Sequence, residues 1–185
     1  MPTRDEAIGL LNQHIANPNM IKHCLATEAV MRALASRLGA NADQWGIAGL
    51  LHDLDVELTN ADLLIHGLKA VEMLRAFGLD DESLTAIRRH NEQASKEPRT
   101  SVFDHALAAS ETITGLVTAT TLVYPDKKLA SVKPSSIVKR MKEKQFAASV
   151  NREIIRECET IGVPLQEFAE LALKAMQAIS GPLGL

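Results

Sequence analysis

The feature that most constrains this chain is a succession of apolar stripes at helical spacing, each opened by a capping residue and closed by glycine or proline. Ile21, Leu25, Val30, Leu34 and Leu38 recur at near-helical intervals, and Gly39 follows where a C-terminal cap belongs. Thr3-Arg4-Asp5-Glu6 has the form of a capping box and opens a short helix that Asn17-Pro18-Asn19 ends; the long helix then runs from about Met20 to Leu38. Asn41 caps a third block carrying Trp45, Ile47, Ala48, Leu50 and Leu51, which runs directly into His52-Asp53. Residues 54–62 read as a loop, with Thr59-Asn60-Ala61-Asp62 as a further candidate cap. Helices are expected over about 66–77, stopped by Gly78, and 81–90, opened by Asp80. The polar stretch Glu92 to Thr100 reads as a loop, and Ser101 to Asp104 caps a long apolar helix reaching about Val123. Beyond the break at Tyr124-Pro125-Asp126, Pro134 and Asn151 each open a helix, Gly162 stops the second, and Pro164 starts a last one ending near Ile179.

No alternating strand pattern competes with these blocks. With only six Phe, Trp or Tyr residues, the core must be built from aliphatic side chains and Met, which favours packed helices. The expected class is all-α. At 185 residues the chain fits one domain of residues 1–185, with a core over about 20–123 and a helical extension over about 124–182.

Charge and cysteine content narrow the setting. The formal net charge of −3 argues against a nucleic-acid ligand. The charge is uneven: residues 1–124 hold 10 Lys/Arg against 16 Asp/Glu, whereas residues 125–160 hold 9 against 5. The basic stretch fits either attraction of an anionic substrate or a solvated helix face. Cys24 and Cys158 match no zinc or redox spacing and read as reduced thiols. The charged N-terminus lacks a signal peptide's apolar run, and no stretch of about 18 apolar residues is present to span a bilayer. A cytoplasmic protein without a membrane partner is expected; the oligomeric state is left open.

Among six histidines the informative one is His52, at the end of Gly46-Ile47-Ala48-Gly49-Leu50-Leu51-His52-Asp53. Neighbouring helical side chains diverge by about 100°, so at a helix end two of them can approach one ion from two sides. Imidazole nitrogen with carboxylate oxygen suits a borderline divalent cation, and the preceding apolar residues anchor the pair rigidly. Further histidines fall at His23 inside the long helix, His66 at a later helix start and His90 at a helix end.

Here the sequence resembles the HD superfamily of metal-dependent phosphohydrolases, whose signature is H…HD…D, and within it a group of small bacterial stand-alone HD proteins. The resemblance runs through IKHCLATEAVMRALASRLG, WGIAGLLHDLDVE, HGLKAVEMLRAFGL, AIRRHN and ETITGLV, and on through YPDKKLASVKPSSIVKRMKEKQFAASVNREII, covering roughly 20–180. It implies an HD-like helical bundle with additional C-terminal helices. It implies His23, His52 and Asp53 as ligands of a principal metal, and His66 and His90 as holders of a second, with Asp53 bridging. The cofactor would be one or more divalent ions, with Mn, Fe, Mg, Zn, Ni and Co all candidates. The group usually carries an aspartate in an Ala-Asp-Glu-Leu-Thr-Gly stretch. Set against Ala109-Ser110-Glu111-Thr112-Ile113-Thr114-Gly115, this puts Ser110 at the aspartate position. Three outcomes follow: water fills the gap beside Ser110, Glu111 or Asp55 turns in as replacement, or the site is weakened. The replacement by Glu111 requires a local distortion, because it lies about 100° around the helix from residue 110.

A metal with open coordination positions generates hydroxide near neutral pH and neutralises phosphoryl oxygens; a pair about 3.5–4 Å apart also stabilises both attacking and leaving groups. The expected activity is hydrolysis of a phosphomonoester or phosphodiester, a nucleotide being one candidate, with Asp53 orienting the water. Lys69, one turn after His66, is a candidate phosphate contact. Arg88, Arg89 and the stretch Lys139 to Lys144 are further candidates for approaching the anion. Two other readings stand beside it: a non-catalytic module binding metal or nucleotide, favoured by Ser110, and a binuclear-iron oxidative enzyme.

Overall fold

A computed structural model describes residues 1–185 and contains eleven α-helices, one 3-10 turn and no strand. The helices are α1 (Arg4–His14), α2 (Pro18–Leu38), α3 (Ala42–Leu51), α4 (Leu68–Phe77), α5 (Asp81–His90), α6 (Glu92–Ser95), α7 (Val102–Leu122), α8 (Pro134–Arg140), α9 (Arg152–Thr160), α10 (Leu165–Ala178) and α11 (Ser180–Leu183), with the 3-10 turn at Leu129–Ser131. The all-α expectation holds.

Local chemistry sets the helix ends. Thr3 and Glu6 form the reciprocal capping box of α1, and Ser101 with Asp104 does the same for α7. Asn41 and Asp80 cap α3 and α5 through their side chains. Gly39 and Gly78 close α2 and α4 in the left-handed region, at φ 70° and 91°, where a Cβ is unfavourable.

Four expectations need correction. Asn17-Pro18 does not only end α1; Asn17 caps α2 and Pro18 occupies its first turn, where a missing N–H costs nothing. The helix expected from residue 66 starts at Leu68, because Gly67 has φ 92° and turns the chain just before it. Thr59-Asn60-Ala61-Asp62 caps no helix: the Thr59 hydroxyl donates back to the Asp55 carbonyl, and Asn60 and Ala61 both have positive φ. The polar stretch after His90 contains α6, capped by Asn91.

The two 21-residue helices, α2 and α7, are the frame. Helix α2 packs along α3, α7 and α10, while α7 packs on α5 and α9. One apolar cluster joins all of them; Leu34, Leu50, Leu51, Ile113, Leu116 and Phe168 are wholly buried in it. Trp45 stacks on Phe103 with ring centroids 4.8 Å apart, pinning α3 to the start of α7. Because every neighbour of the α2–α7 pair is fixed by packed aliphatic surface, side chains at the seam are held in place by the core itself.

Candidate metal centre

Four histidines from four separate segments meet in this seam. His23 comes from the middle of α2, His52 caps the end of α3, His66 sits in the turns before α4, and His90 ends α5. Their edges face one another: His23 Nε2 lies 3.3 Å from His52 Nε2, and His66 Nε2 lies 3.2 Å from His90 Nε2. The Asp53 carboxylate sits among them. Its Oδ1 is 2.9 Å from His66 Nε2, 3.2 Å from His52 Nε2 and 3.6 Å from His90 Nε2, and its Oδ2 is 3.4 Å from His23 Nε2. Two sets of potential ligands result, His23–His52–Asp53 and Asp53–His66–His90, with Asp53 common to both.

The outer nitrogens reveal the protonation. His52 Nδ1 faces the Gly49 carbonyl at 2.9 Å and His90 Nδ1 faces the Ile87 carbonyl at 2.5 Å. A carbonyl only accepts, so both Nδ1 atoms carry hydrogen and donate. His23 Nδ1 faces the Thr114 hydroxyl at 3.1 Å, and that hydroxyl gives its hydrogen to the Glu111 carbonyl at 2.7 Å. His23 Nδ1 is therefore the donor as well. His66 Nδ1 donates to Asp55 Oδ1 at 2.7 Å. All four rings thus turn Nε2 inward, at each other and at a carboxylate. Inward lone pairs 3.2–3.3 Å apart repel unless a cation or a proton lies among them. The donor set fits a divalent ion of the imidazole–carboxylate class.

The titration behaviour follows the same layout. Burial drives His52 down to about 3, so that ring is neutral. Burial also opposes charge on His66, but hydrogen bonds to Asp53 and Asp55 outweigh it and hold this imidazole up at about 10. Burial works to raise the Asp53 carboxyl, yet the surrounding imidazoles hold it well below the usual range.

The centre opens on a cavity of about 480 Å³. Besides the ligand candidates, Asn91 and Gln93 line one side, Glu111 and Gly115 of α7 another, and Ser149, Val150, Asn151 and Ile154 of the extension a third.

Helix α7 separates the outcomes left open at Ser110: Ser110 faces the core, and Glu111, one of the two candidate replacements, faces the cavity. Ser110 is wholly buried on the core face, and its Oγ meets no hydrogen-bond partner. Glu111 instead lies on the cavity stripe that continues one turn later at Gly115. Its carboxyl is raised by burial and drawn back by His23. No distortion is needed. Aligned on Thr114-Gly115 instead of Ala109, the Ala-Asp-Glu-Leu-Thr-Gly pattern puts its aspartate on Glu111. A signal was present, since Glu111 is the one ionisable side chain between Ala106 and Tyr124. Asp55 does not turn in either. Wholly buried, it accepts from His66 Nδ1, Gly67 N and Ala70 N.

The remaining candidates lie away from the cavity. Lys69 is exposed and pairs with Glu72 at 2.8 Å. Arg89 is committed to Asp104 and Glu97, and Arg88 to Glu97. From the basic stretch, Arg140 pairs with Glu143 and lies over the Phe146 ring, and none of Lys139 to Lys144 lines the cavity. Sequence reasoning missed Thr114 behind His23 and the extension residues Ser149, Val150, Asn151 and Ile154 as cavity lining, since none of them carries a charge to draw attention.

Comparison with known proteins was made against this geometry. Residues 20–122 match the family model described as "HD domain", more than half of the chain. The chain belongs to the HD domain family. This places it in the superfamily of metal-dependent phosphohydrolases, whose domains bind divalent metals. Among curated proteins the chain resembles Ribonuclease Y of Mesoplasma florum, 32% identical over 85 residues. That match covers 46% of this chain and 17% of the relative, so the chain spans under a fifth of that protein's length. No solved structure matches. No helix is long and apolar enough to cross a membrane.

Proposed function

We propose that this HD domain hydrolyses a phosphate ester, a monoester or diester with nucleotides among the candidates, at a centre of one or two divalent ions held by His23, His52, Asp53, His66 and His90. The observation that carries the reading is the convergence of four imidazole Nε2 atoms on the Asp53 carboxylate. Glu111 joins this set on the His23 side as the carboxylate that completes the H…HD…D pattern. The bound metal supplies a water of lowered pKa and neutralises phosphoryl charge. Asp53, common to both ligand sets, would orient such a water, while Asn91, Gln93 and Asn151 offer neutral hydrogen bonds around the ester. No Lys or Arg lines the cavity, so charge compensation for the phosphoryl group falls to the centre itself rather than to Lys69.

The same reading takes residues 1–185 as one HD-type unit, with residues 20–123 as core and the extension supplying a cavity wall. A cytoplasmic setting accords with the two buried free thiols, Cys24 and Cys158. Glu111 on the cavity favours the hydrolytic reading over the non-catalytic module and the binuclear-iron oxidative enzyme, which the turnover test below separates.

The test is metal content after dialysis against Mn, Zn, Fe, Co, Ni or Mg, followed by turnover of p-nitrophenyl phosphate, bis-p-nitrophenyl phosphate, mononucleotides and short RNA. RNA enters the panel because of the name of the Mesoplasma relative. Metal-dependent hydrolysis lost in Asp53→Ala is the expected result. Stoichiometric metal without turnover of any ester would instead support a binding module.

A further inference from the structure

The four rings of the centre are oriented by unlike partners. His52 and His90 donate from Nδ1 to carbonyls three residues back in their own helices, and His23 donates to a hydroxyl. Only His66 is backed by a carboxylate, that of Asp55. His66 is also the ring not anchored on a helix, since it precedes α4 in the run of turns from His52 to Gly67.

We infer that Asp55 is a positioning residue that fixes which nitrogen of His66 faces the cluster, and with it the metal affinity of the Asp53–His66–His90 half. The inference rests on the metal-centre reading above. Its basis is the division of labour between the two Asp55 oxygens. Oδ2 accepts from Gly67 N at 2.8 Å and Ala70 N at 3.0 Å, two donors at the start of α4 that would otherwise be unmet in a buried place. Oδ1 accepts from His66 Nδ1 at 2.7 Å. The side chain is wholly buried, so no water substitutes for either contact. Gly67 makes the arrangement reachable: at φ 92° it brings its own N–H onto Asp55, and a Cβ there would lie 3.1 Å from His90 Cε1.

This division makes Asp55→Asn a sharp probe. The asparagine has one oxygen, and two fixed backbone N–H groups demand it. Its NH₂ then faces His66 Nδ1, which must accept rather than donate. The ring proton moves to Nε2, and the inward lone pair is lost without a change of shape. A carboxylate behind a ligating imidazole also raises its basicity, and losing such a partner costs about 10–100-fold in metal affinity.

The experiment titrates Mn²⁺ or Zn²⁺ calorimetrically into wild type, Asp55→Asn, His66→Ala, the double variant and His52→Ala, with metal content and melting curves measured alongside. Asp55→Asn is expected to weaken one binding event about 10–100-fold, as His66→Ala does. The double variant should be no weaker than His66→Ala alone. Wild-type affinity in Asp55→Asn, or additive loss in the double variant, overturns the inference while leaving the metal reading intact. A wild-type protein that takes up no metal overturns that reading, and this inference falls with it. Should Asp55→Asn fail to fold, the zinc-loaded wild-type structure decides. His66 Nε2 at about 2.0–2.1 Å from zinc, with Nδ1 on Asp55, supports the inference, and Nδ1 on the metal overturns it.

Discussion

The two halves of the histidine cluster share Asp53 but are built differently. The His23–His52 half stands on α2 and α3, whose long mutual packing and backbone or hydroxyl partners hold the rings. In the His66–His90 half, His90 ends α5 with Nδ1 on the Ile87 carbonyl, but His66 stands on a turn and is held by the Asp55 carboxylate, while Arg89 on Asp104 at 2.9 Å ties α5 to α7. A ring carried by a well-packed helix is oriented by the core. A ring carried by a turn needs a dedicated polar partner, and such partners are buried and costly to disturb.

The largest effect should come from what the halves share. Asp53→Ala is expected to abolish metal binding at both and to lower turnover at least about 10³-fold, the scale of several kcal/mol of lost charge stabilisation. Full-affinity binding surviving in that variant would break the picture of a bridging carboxylate.

The next effect sets Ser110 against Glu111. If Ser110 stood at the ligand position, Ser110→Asp would strengthen the centre. On the core face it should instead bury an unpaired carboxylate and cost about 3 kcal/mol, read by chemical denaturation. Ser110→Ala removes an unmet hydroxyl and should be neutral to about 1 kcal/mol stabilising. Glu111→Gln should leave stability nearly unchanged and weaken metal binding on the His23 side by about tenfold or more, measured by calorimetry.

A pH series sharpens the second half's dependence on side-chain ties. Asp104 is buried; burial works to raise its carboxyl, but the Thr100 and Ser101 N–H groups and Arg89 lower it below the ordinary 3.8. A carboxyl lowered on folding stabilises the fold above the unfolded value, and that contribution is lost as pH falls through the folded one. Asp104→Asn should therefore flatten the acid limb of the stability curve below about pH 4, followed by urea melts. A wild-type acid limb in that variant would remove the Arg89–Asp104 tie from the account. The smallest effect is expected at Gly115, where a new Cβ would sit 3.4 Å from Val150 Cγ2 in ordinary contact range. Gly115→Ala should change stability by under about 1 kcal/mol, with helix propensity offsetting the crowding.

Much of the fold was legible because helix boundaries are local. Thr3, Asn41, Asp80, Ser101, Gly39 and Gly78 each act on residues within a turn or so of themselves, and each does in the structure what its chemistry suggests. Asn17-Pro18 was misjudged because the pair that stops one helix also begins the next. The four histidines and Asp53 stood out as residue types, but Lys69 shows the limit of spacing alone: one turn from His66 in sequence, it faces Glu72 and solvent, because Gly67 breaks the helix between them.

By itself the sequence determined the helical class and the caps and singled out His23, His52, Asp53, His66 and His90 as candidate donors, since these follow from neighbouring residues and donor chemistry. Tertiary packing decided that Glu111 rather than Ser110 faces the cavity, that Asp55 backs His66, and that Ser149, Val150, Asn151 and Ile154 of the extension form a wall. Those outcomes depend on how α7 is rotated against α2 and where distant segments come to rest.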